Sequence, residues 1–272
     1  MYAFQINNLS YVYPNGEKAL SDISGAIPFN SKVVVLGSSG SGKTTLAHQL
    51  SGLKFPNAGS VHLFGEEMNT KCKHMLRQRI AFVEQEVKPT LFIRTVWEYV
   101  TAGVFKKSLE KVERIRVAET ALGIVGMLDS KFRSISYLSA GQKRRMAIAR
   151  AIATQADILV LDDPISGLDP EGYSNVYAIL EGLHLMGKTL IVMTSDVDFA
   201  SSWSDHLFIL SGGSLLESGS PSLTVNEELM RKARLRLPMV SIPFSSIPEL
   251  RFHTIPRTVD EARQVLREIV QR

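Results

Sequence analysis

Residues Gly37-Ser38-Ser39-Gly40-Ser41-Gly42-Lys43-Thr44 have the four fixed positions of a phosphate-cradling loop: two glycines five apart, then lysine and a hydroxyl. Glycines let the backbone curl so that successive N–H groups point inward, and a helix starting at the loop's end adds its positive pole. Lys43 would then reach the β- and γ-phosphates, and Thr44 would offer its hydroxyl to Mg²⁺. At average residue frequencies, chance produces these four positions in a chain of this length with odds of roughly one in a hundred. Gly37 to Thr44, with the adjoining Thr45, are therefore the candidate contacts for a nucleoside triphosphate, ATP with Mg²⁺. A second carboxylate fits the same chemistry. Asp162 closes a run of four apolar residues, where a strand-end carboxylate beside the loop holds Mg²⁺ through water.

These groups need a scaffold, and the surrounding pattern supplies one. Residues 32–36 are a continuous β-branched run ahead of the loop, as expected of a strand buried on both faces. A helix over 43–53 follows. Residues 4–9 alternate apolar and polar, which predicts an edge strand, and 11–16 are rich in turn residues. Further strands are predicted at 60–64, Ile80–Val83, 158–162 and Thr189–Thr194, with a helix at Pro170–Leu185 that has proline in its first turn. Gly212-Gly213 between 206–210 and 214–218 predicts a hairpin. Strands alternating with helices imply an α/β fold with a mostly parallel sheet covered on both faces.

Residues 95–128 read differently. Val112, Ile115, Ala118 and Leu122 recur at helical spacing, as in a helical insert that runs on to about 152. Its last helix, 141–152, has Met146, Ile148 and Ile152 available for burial. From about 220 the composition shifts again, with Pro221, Pro238, Pro243, Pro248 and Pro256. The tail closes on an amphipathic helix announced by Thr258 and Glu261 in capping-box spacing. Val259, Ala262, Leu266 and Ile269 share one face, to be stapled onto the core or offered to a partner; packing on the core is the simpler expectation.

Composition excludes several classes. The 272 residues are 44% hydrophobic and 21% charged with a net charge of +4, enough for a core and too mild a basic excess for a nucleic-acid partner. The densest basic runs, Lys143-Arg144-Arg145 and residues 231–236, read as solvated helix faces or a docking surface. One cysteine, Cys72, permits no internal disulfide and fits a reducing cytosol. The first residues lack the layout of a signal peptide, and no apolar run approaches the roughly 20 residues of a membrane span. Work at a membrane would require holding on to another chain.

Leu138-Ser139-Ala140-Gly141-Gln142 lies about twenty residues before the Asp162 strand. It resembles the signature motif of ATP-binding-cassette (ABC) ATPases, with Ala140 where glycine is commonest. Other landmarks follow in order: Tyr13 resembles the aromatic residue that stacks on adenine, Gln85 the glutamine that senses Mg²⁺, and Ser166-Gly167-Leu168-Asp169 the loop that crosses the dimer interface. The resemblance covers about residues 2–220. It implies a P-loop NTPase fold with a RecA-like parallel sheet, an antiparallel N-terminal β subdomain and an inserted helical subdomain at about 88–152. Residues 221–272 would form a small C-terminal extension used in dimerisation. It also implies that Ser139, Ala140, Gly141 and Gln142 touch ATP bound to a second, head-to-tail ATPase subunit. A narrower resemblance, carried by Leu91-Phe92-Ile93-Arg94-Thr95-Val96, by Gly141-Gln142-Lys143-Arg144-Arg145 and by Leu237-Pro238, is to the ATPase subunits of energy-coupling-factor importers for vitamins or cobalt and nickel. Those imply a transmembrane coupling protein and a substrate-binding membrane protein as partners, and a place at the cytoplasmic face of the cell membrane. Another transporter class, a soluble non-transport cassette protein and a regulatory ATP-binding module remain alternatives.

Two positions depart from the family. Asp163 stands where Glu polarises the attacking water, and Ser195 stands where His contacts the γ-phosphate. Shortening the carboxylate by a methylene withdraws it by about an ångström, a misplacement that can cost about 10²-fold in rate. Serine carries no charge and reaches less far than imidazole. The expectation is a site that binds ATP through a full set of contacts and hydrolyses it poorly, within a heterodimer whose other chain supplies the working site.

Overall fold

The computed structural model describes residues 1–86, 93–104, 109–247 and 255–270. The Leu91-Phe92 pair of the narrower resemblance, the first residues of the helical insert and Pro248 lie outside them. Two sheets form the scaffold. The first joins β1 (Tyr2–Val12), β2 (Lys18–Pro28), β4 (Ala58–Leu63) and β5 (Glu66–Glu67) in the order β2-β1-β4-β5, all antiparallel. The second joins β3 (Lys32–Gly37), β6 (Ile80–Val83), β7 (Ile158–Asp162), β8 (Thr189–Thr194), β9 (His206–Ser211) and β10 (Ser214–Gly219) in the order β10-β9-β3-β8-β7-β6. Its pairs are parallel except the β9–β10 hairpin.

The apolar run of β3 divides by period two, as a strand with both faces covered must. Val33 and Val35 face a core shared with the first sheet and with α1 (Lys43–Leu50). Val34 and Leu36 face a second core built with the helices of the other side. β3 lies between β8 and β9, so the loop leaving its C-terminal end sits in the middle of the sheet's edge. Helix α2 (Lys73–Arg79) leads into β6.

The helical insert contains α3 (Val96–Thr101), α4 (Lys111–Ile124) and α5 (Ala140–Ala153), with α3 and α4 packed on α5. α6 (Pro170–Leu185) and α7 (Val197–Trp203) cover the sheet. Beyond β10 come α8 (Glu227–Lys232), α9 (Ile242–Ser245) and α10 (Val259–Val270).

Three sequence expectations need correction, and a fourth, the helix carrying 112–122, is present with only part of its apolar set buried. Residues 4–9 are not an edge strand: β1 pairs with β2 on one side and β4 on the other, and Phe4, Ile6 and Leu9 are buried. Alternation reports one buried face and is silent on how many neighbours a strand has. The helix after the phosphate loop ends at Leu50, because Gly52 turns into the left-handed region and the amides of Leu53 and Lys54 bond back to His48 O. In α4, Ala118 and Leu122 are buried, whereas Val112 is 75% exposed and Ile115 is 39% exposed. Among the described residues of α10 only Ala262 is buried; Val259, Leu266 and Ile269 stand exposed, so this face is not a staple onto the core. Its start is capped as expected by Glu261 N donating to Thr258 Oγ1 at 3.2 Å, but the Glu261 carboxylate reaches one residue further, to Arg257 N at 2.8 Å.

Candidate nucleotide site

The phosphate loop is built by its neighbours as much as by its own glycines. Gly42 caps α1 with φ 100°, a left-handed conformation that a side chain would resist. At Gly37 the constraint is space, since a Cβ would lie 2.4 Å from Ser41 Oγ and 2.6 Å from Leu210 O. The β9–β10 turn presses from the far side, with Gly213 N donating to Ser41 O at 3.1 Å. Lys43 Nζ lies across the loop, donating to Gly37 O at 2.7 Å and Ser38 O at 2.9 Å. Burial lowers the Lys43 pKa, opposed by the charges of Asp163 and Asp162. An ammonium partly stripped of water and aimed into a ring of backbone is suited to a polyanion.

A cavity of about 510 Å³ opens here, within the range of small-molecule sites. Ser39, Gly40, Ser41, Gly42, Lys43, Thr44 and Thr45 line it, together with Tyr13, Gln85, Asp162, Asp163 and Ser195. Gly37 and Ser38 form the strand-end side of the same loop. The candidate residues thus meet at one cavity, except Gly37 and Ser38, which lie behind it in the same loop, and the Ser139–Gln142 group. Tyr13 is fixed by a 2.9 Å hydrogen bond between its hydroxyl and Thr45 Oγ1, and Lys54 Nζ sits 4.6 Å from its ring centroid.

Asp162 is 5% exposed at the end of β7 and is hydrogen-bonded by the Thr44 hydroxyl. Burial raises its pKa, with the Thr44 bond pulling the other way and the neighbouring Asp163 charge adding to the rise. Among the described residues no group of three His, Cys, Asp or Glu is placed to hold a metal. One hydroxyl and one carboxylate nevertheless fit Mg²⁺, which keeps waters and takes its other ligands from phosphates.

Asp163 has a left-handed backbone, φ 47°, and its amide donates to Met193 O at 2.8 Å. Its short carboxylate is held back against the sheet: Thr194 Oγ1 donates to Oδ1 at 3.3 Å and Gln85 Nε2 lies 3.5 Å from Oδ2. Ser195 is exposed at the cavity wall.

The Ser139–Gln142 group stands apart at the start of α5. Ser139 Oγ accepts from Gln142 N at 3.2 Å, and Gln142 Oε1 accepts from Ser139 N at 3.0 Å. This reciprocal cap leaves the first helical amides, those of Ala140 and Gly141, at the positive pole of a 14-residue helix. The basic run after it is not a solvated face: Arg144 Nη1 donates to Glu84 O at 3.3 Å, beside Gln85, and Arg145 Nη1 to Val125 O at 3.4 Å. Asp169, in the 166–169 loop, caps α6 by accepting from Gly172 N at 3.0 Å.

Sequence reasoning missed part of the wall. Glu17, Lys18, Ala19, Gly212 and Gly213 also line the cavity. The first three belong to an unanticipated strand and its approach. The double glycine was legible as a turn, but its packing on the phosphate loop was not.

Comparison with known proteins agrees with this geometry. The family model for ABC transporters matches residues 20–166. The chain is 38% identical to the energy-coupling factor transporter ATP-binding protein EcfA of Carboxydothermus hydrogenoformans, over 98% of both chains. It belongs to the ABC transporter ATPase family. Among solved structures, this ABC ATPase superposes on CbiO1 of Clostridium perfringens, part of the ABC transporter complex CbiONQ, with a TM-score of 0.76 and 30% identity, covering 90% of this chain and 99% of that one. A bacterial ABC transporter cassette solved as a dimer, MJ0796, gives a TM-score of 0.73 at 25% identity over 80% of this chain and 98% of that one. The fold is therefore that of the P-loop cassette, with a parallel-stranded sheet and an antiparallel N-terminal sheet, and the family binds ATP, generally with Mg²⁺. Among the described residues no helix is long and apolar enough to cross a membrane.

Proposed function

We propose that this ABC ATPase is the ATP-binding subunit of an energy-coupling-factor-type importer, seated peripherally on the cytoplasmic face of the membrane. It would work beside a second, different ATPase chain, a transmembrane coupling protein and a substrate-binding membrane protein. Names of relatives support the transporter class. The observation that carries the division of labour is internal: Tyr13, the 39–45 loop and Asp162 line one cavity, while the Ser139–Gln142 cap is not among the residues that line it.

On this reading Tyr13 lies against the adenine, and the 37–45 loop amides with Lys43 hold the phosphates. Thr44, Asp162 and Gln85 would hold Mg²⁺, which would neutralise charge on the phosphate oxygens. Gln85, Asp163 and Ser195 stand where hydrolysis would be assisted. Asp163, drawn back by Thr194 and Gln85, orients water poorly, and Ser195 presents a neutral hydroxyl in place of a ring. Ser139 and the amides of Ala140 and Gly141 complete the partner's site, pointing a helix N-terminus at its γ-phosphate. ATP then holds the two subunits together, and turnover at the partner's loop releases them.

The test is to tag the chain, extract it from its native membrane in mild detergent and identify what accompanies it. A second ATPase with multi-span proteins is the expected result. Recovery as a lone species contradicts the assignment.

A further inference from the structure

α7 is a seven-residue helix, too short to hold its own position by backbone bonding. Its place is set by what it touches: β3 and, through Phe199, α6 in the core, the nucleotide cavity at one end and the C-terminal extension along its flank. At its N-terminal end is the nucleotide cavity. Thr194 Oγ1, which donates to Asp163 Oδ1, accepts the amide of Asp196 at 3.1 Å, and Asp196 Oδ1 accepts from Phe199 N at 3.0 Å. Ser195, on the cavity wall, lies between these two anchors.

Along its flank α7 is gripped by residues from beyond 220. The Asp198 carboxylate receives the Arg236 guanidinium on one oxygen and Met239 N, at 2.7 Å, on the other. Ser201 Oγ donates to Arg257 O at 3.0 Å, Arg257 Nη1 donates back to Ser201 O at 2.9 Å, and Thr224 Oγ1 donates to Ser201 Oγ at 3.1 Å. Ser201 and Thr224 are fully buried, so these bonds are shielded from competing water. Ser241 Oγ, donating to Pro256 O at 2.7 Å, ties the two strips of the extension to each other. Within the core Phe199 and Trp203, one turn apart on α7, stack at 4.9 Å, and Phe199 meets Tyr173 and Tyr177 of α6 edge-on.

We propose that Asp198, with Arg236 as its partner, is a positioning residue for the ATP site: the C-terminal extension sets where Ser195 stands. Neither side chain lines the nucleotide cavity. Asp198 acts through the helix that begins two residues after Ser195. The proposal rests on the reading above that Ser195 faces the γ-phosphate, so its signature is selective. Loosening the clamp weakens binding of ATP, which has that phosphate, and spares ADP, which lacks it.

The test is calorimetric titration of the full chain with Mg·ATP and with Mg·ADP, for native protein, Asp198→Asn, Arg236→Gln, Arg236→Lys and Ser195→Ala. Asp198→Asn keeps the side chain's size and an acceptor for Met239 N while removing its charge. Arg236→Gln changes a half-exposed side chain and keeps the α7 sequence intact. Both are expected to weaken ATP about fivefold and ADP by less than about twofold, the scale on which substitutions along a coupling route act. Arg236→Lys retains most of the ATP affinity, and Ser195→Ala gives the same ATP-selective loss. The proposal is overturned if ATP and ADP weaken together, which is the pattern of a merely structural pair. It is equally overturned if the clamp variants change neither while Ser195→Ala changes ATP alone. A Ser195→Ala variant with native affinity for both nucleotides removes the γ-phosphate reading beneath it, a failure distinct from the other two.

Discussion

Replacing Asp163 by Glu, alone and with Ser195→His, asks whether two short side chains are what limit this site. The backbone at Asp163 is left-handed, φ 47°. Asp enters that region several-fold more readily than most residues, so Glu there costs about 1 kcal/mol. That lowers the thermal midpoint by about 2–4 °C for a chain of this size. In return the carboxylate advances by about an ångström past the Thr194 hydroxyl and the Gln85 amide nitrogen that now hold it back, a distance worth up to about 10²-fold in rate. Ser195 still supplies no charge, so Asp163→Glu alone should raise hydrolysis at this site by about tenfold, and the pair of changes by about 10²-fold; groups that act as a unit do not contribute independently. The assay is single-turnover release of phosphate from radiolabelled ATP in the assembled complex, with the partner's catalytic Glu changed to Gln so that only this site is read. The reasoning is refuted if the double variant hydrolyses no faster than the native chain while both bind ATP equally.

Gly37→Ala forces a methyl to within 2.4 Å of Ser41 Oγ and 2.6 Å of Leu210 O. An overpacking cost of about 1–3 kcal/mol, taken up by the cradle, weakens ATP by about tenfold to a hundredfold in calorimetric titration. Asp162→Asn should raise the thermal midpoint of the nucleotide-free chain while removing the Mg²⁺ dependence of ATP binding. The sign follows from its raised pKa: a carboxyl whose folded pKa lies above its unfolded one stabilises the fold when protonated and loses that contribution as pH rises through the folded pKa. The gain from Asn is therefore present at neutral pH and fades in acid, which melts across a pH series will show. Leu266→Glu, on the exposed face of α10, should leave the chain's own melting within about 0.5 kcal/mol of native and weaken association with its partner ATPase in sedimentation.

Much of this site was legible in the sequence because its chemistry is local. The phosphate loop, the carboxylate pair at 162–163 and the Ser139–Gln142 cap each lie within a few consecutive residues; the loop and Asp162 could be read from spacing, whereas roles for Asp163 and Ser139–Gln142 came from resemblance to the family. Tyr13, Gln85 and Ser195 are isolated residues that only resemblance to a family could single out. What stayed hidden depends on which elements meet. β2 was invisible because residues 18–28 mix Gly, Ser, Asp and Pro with apolar residues, and its strand character comes from pairing with β1. The withdrawal of Asp163 by Thr194 and Gln85 joins residues 31 and 78 positions apart. The exposure of the α10 face was hidden too, because periodicity gives a helix an apolar face without saying what covers it.

The central claim is asymmetry: this chain holds ATP, and the partner's site, completed by Ser139–Gly141, does most of the hydrolysis. The most direct measurement is steady-state ATPase activity of the assembled complex carrying either Asp163→Asn here or Glu→Gln at the partner's catalytic position. The first change should leave turnover within about twofold of native and the second should remove it by at least about 10²-fold. Loss of turnover on Asp163→Asn would contradict the account.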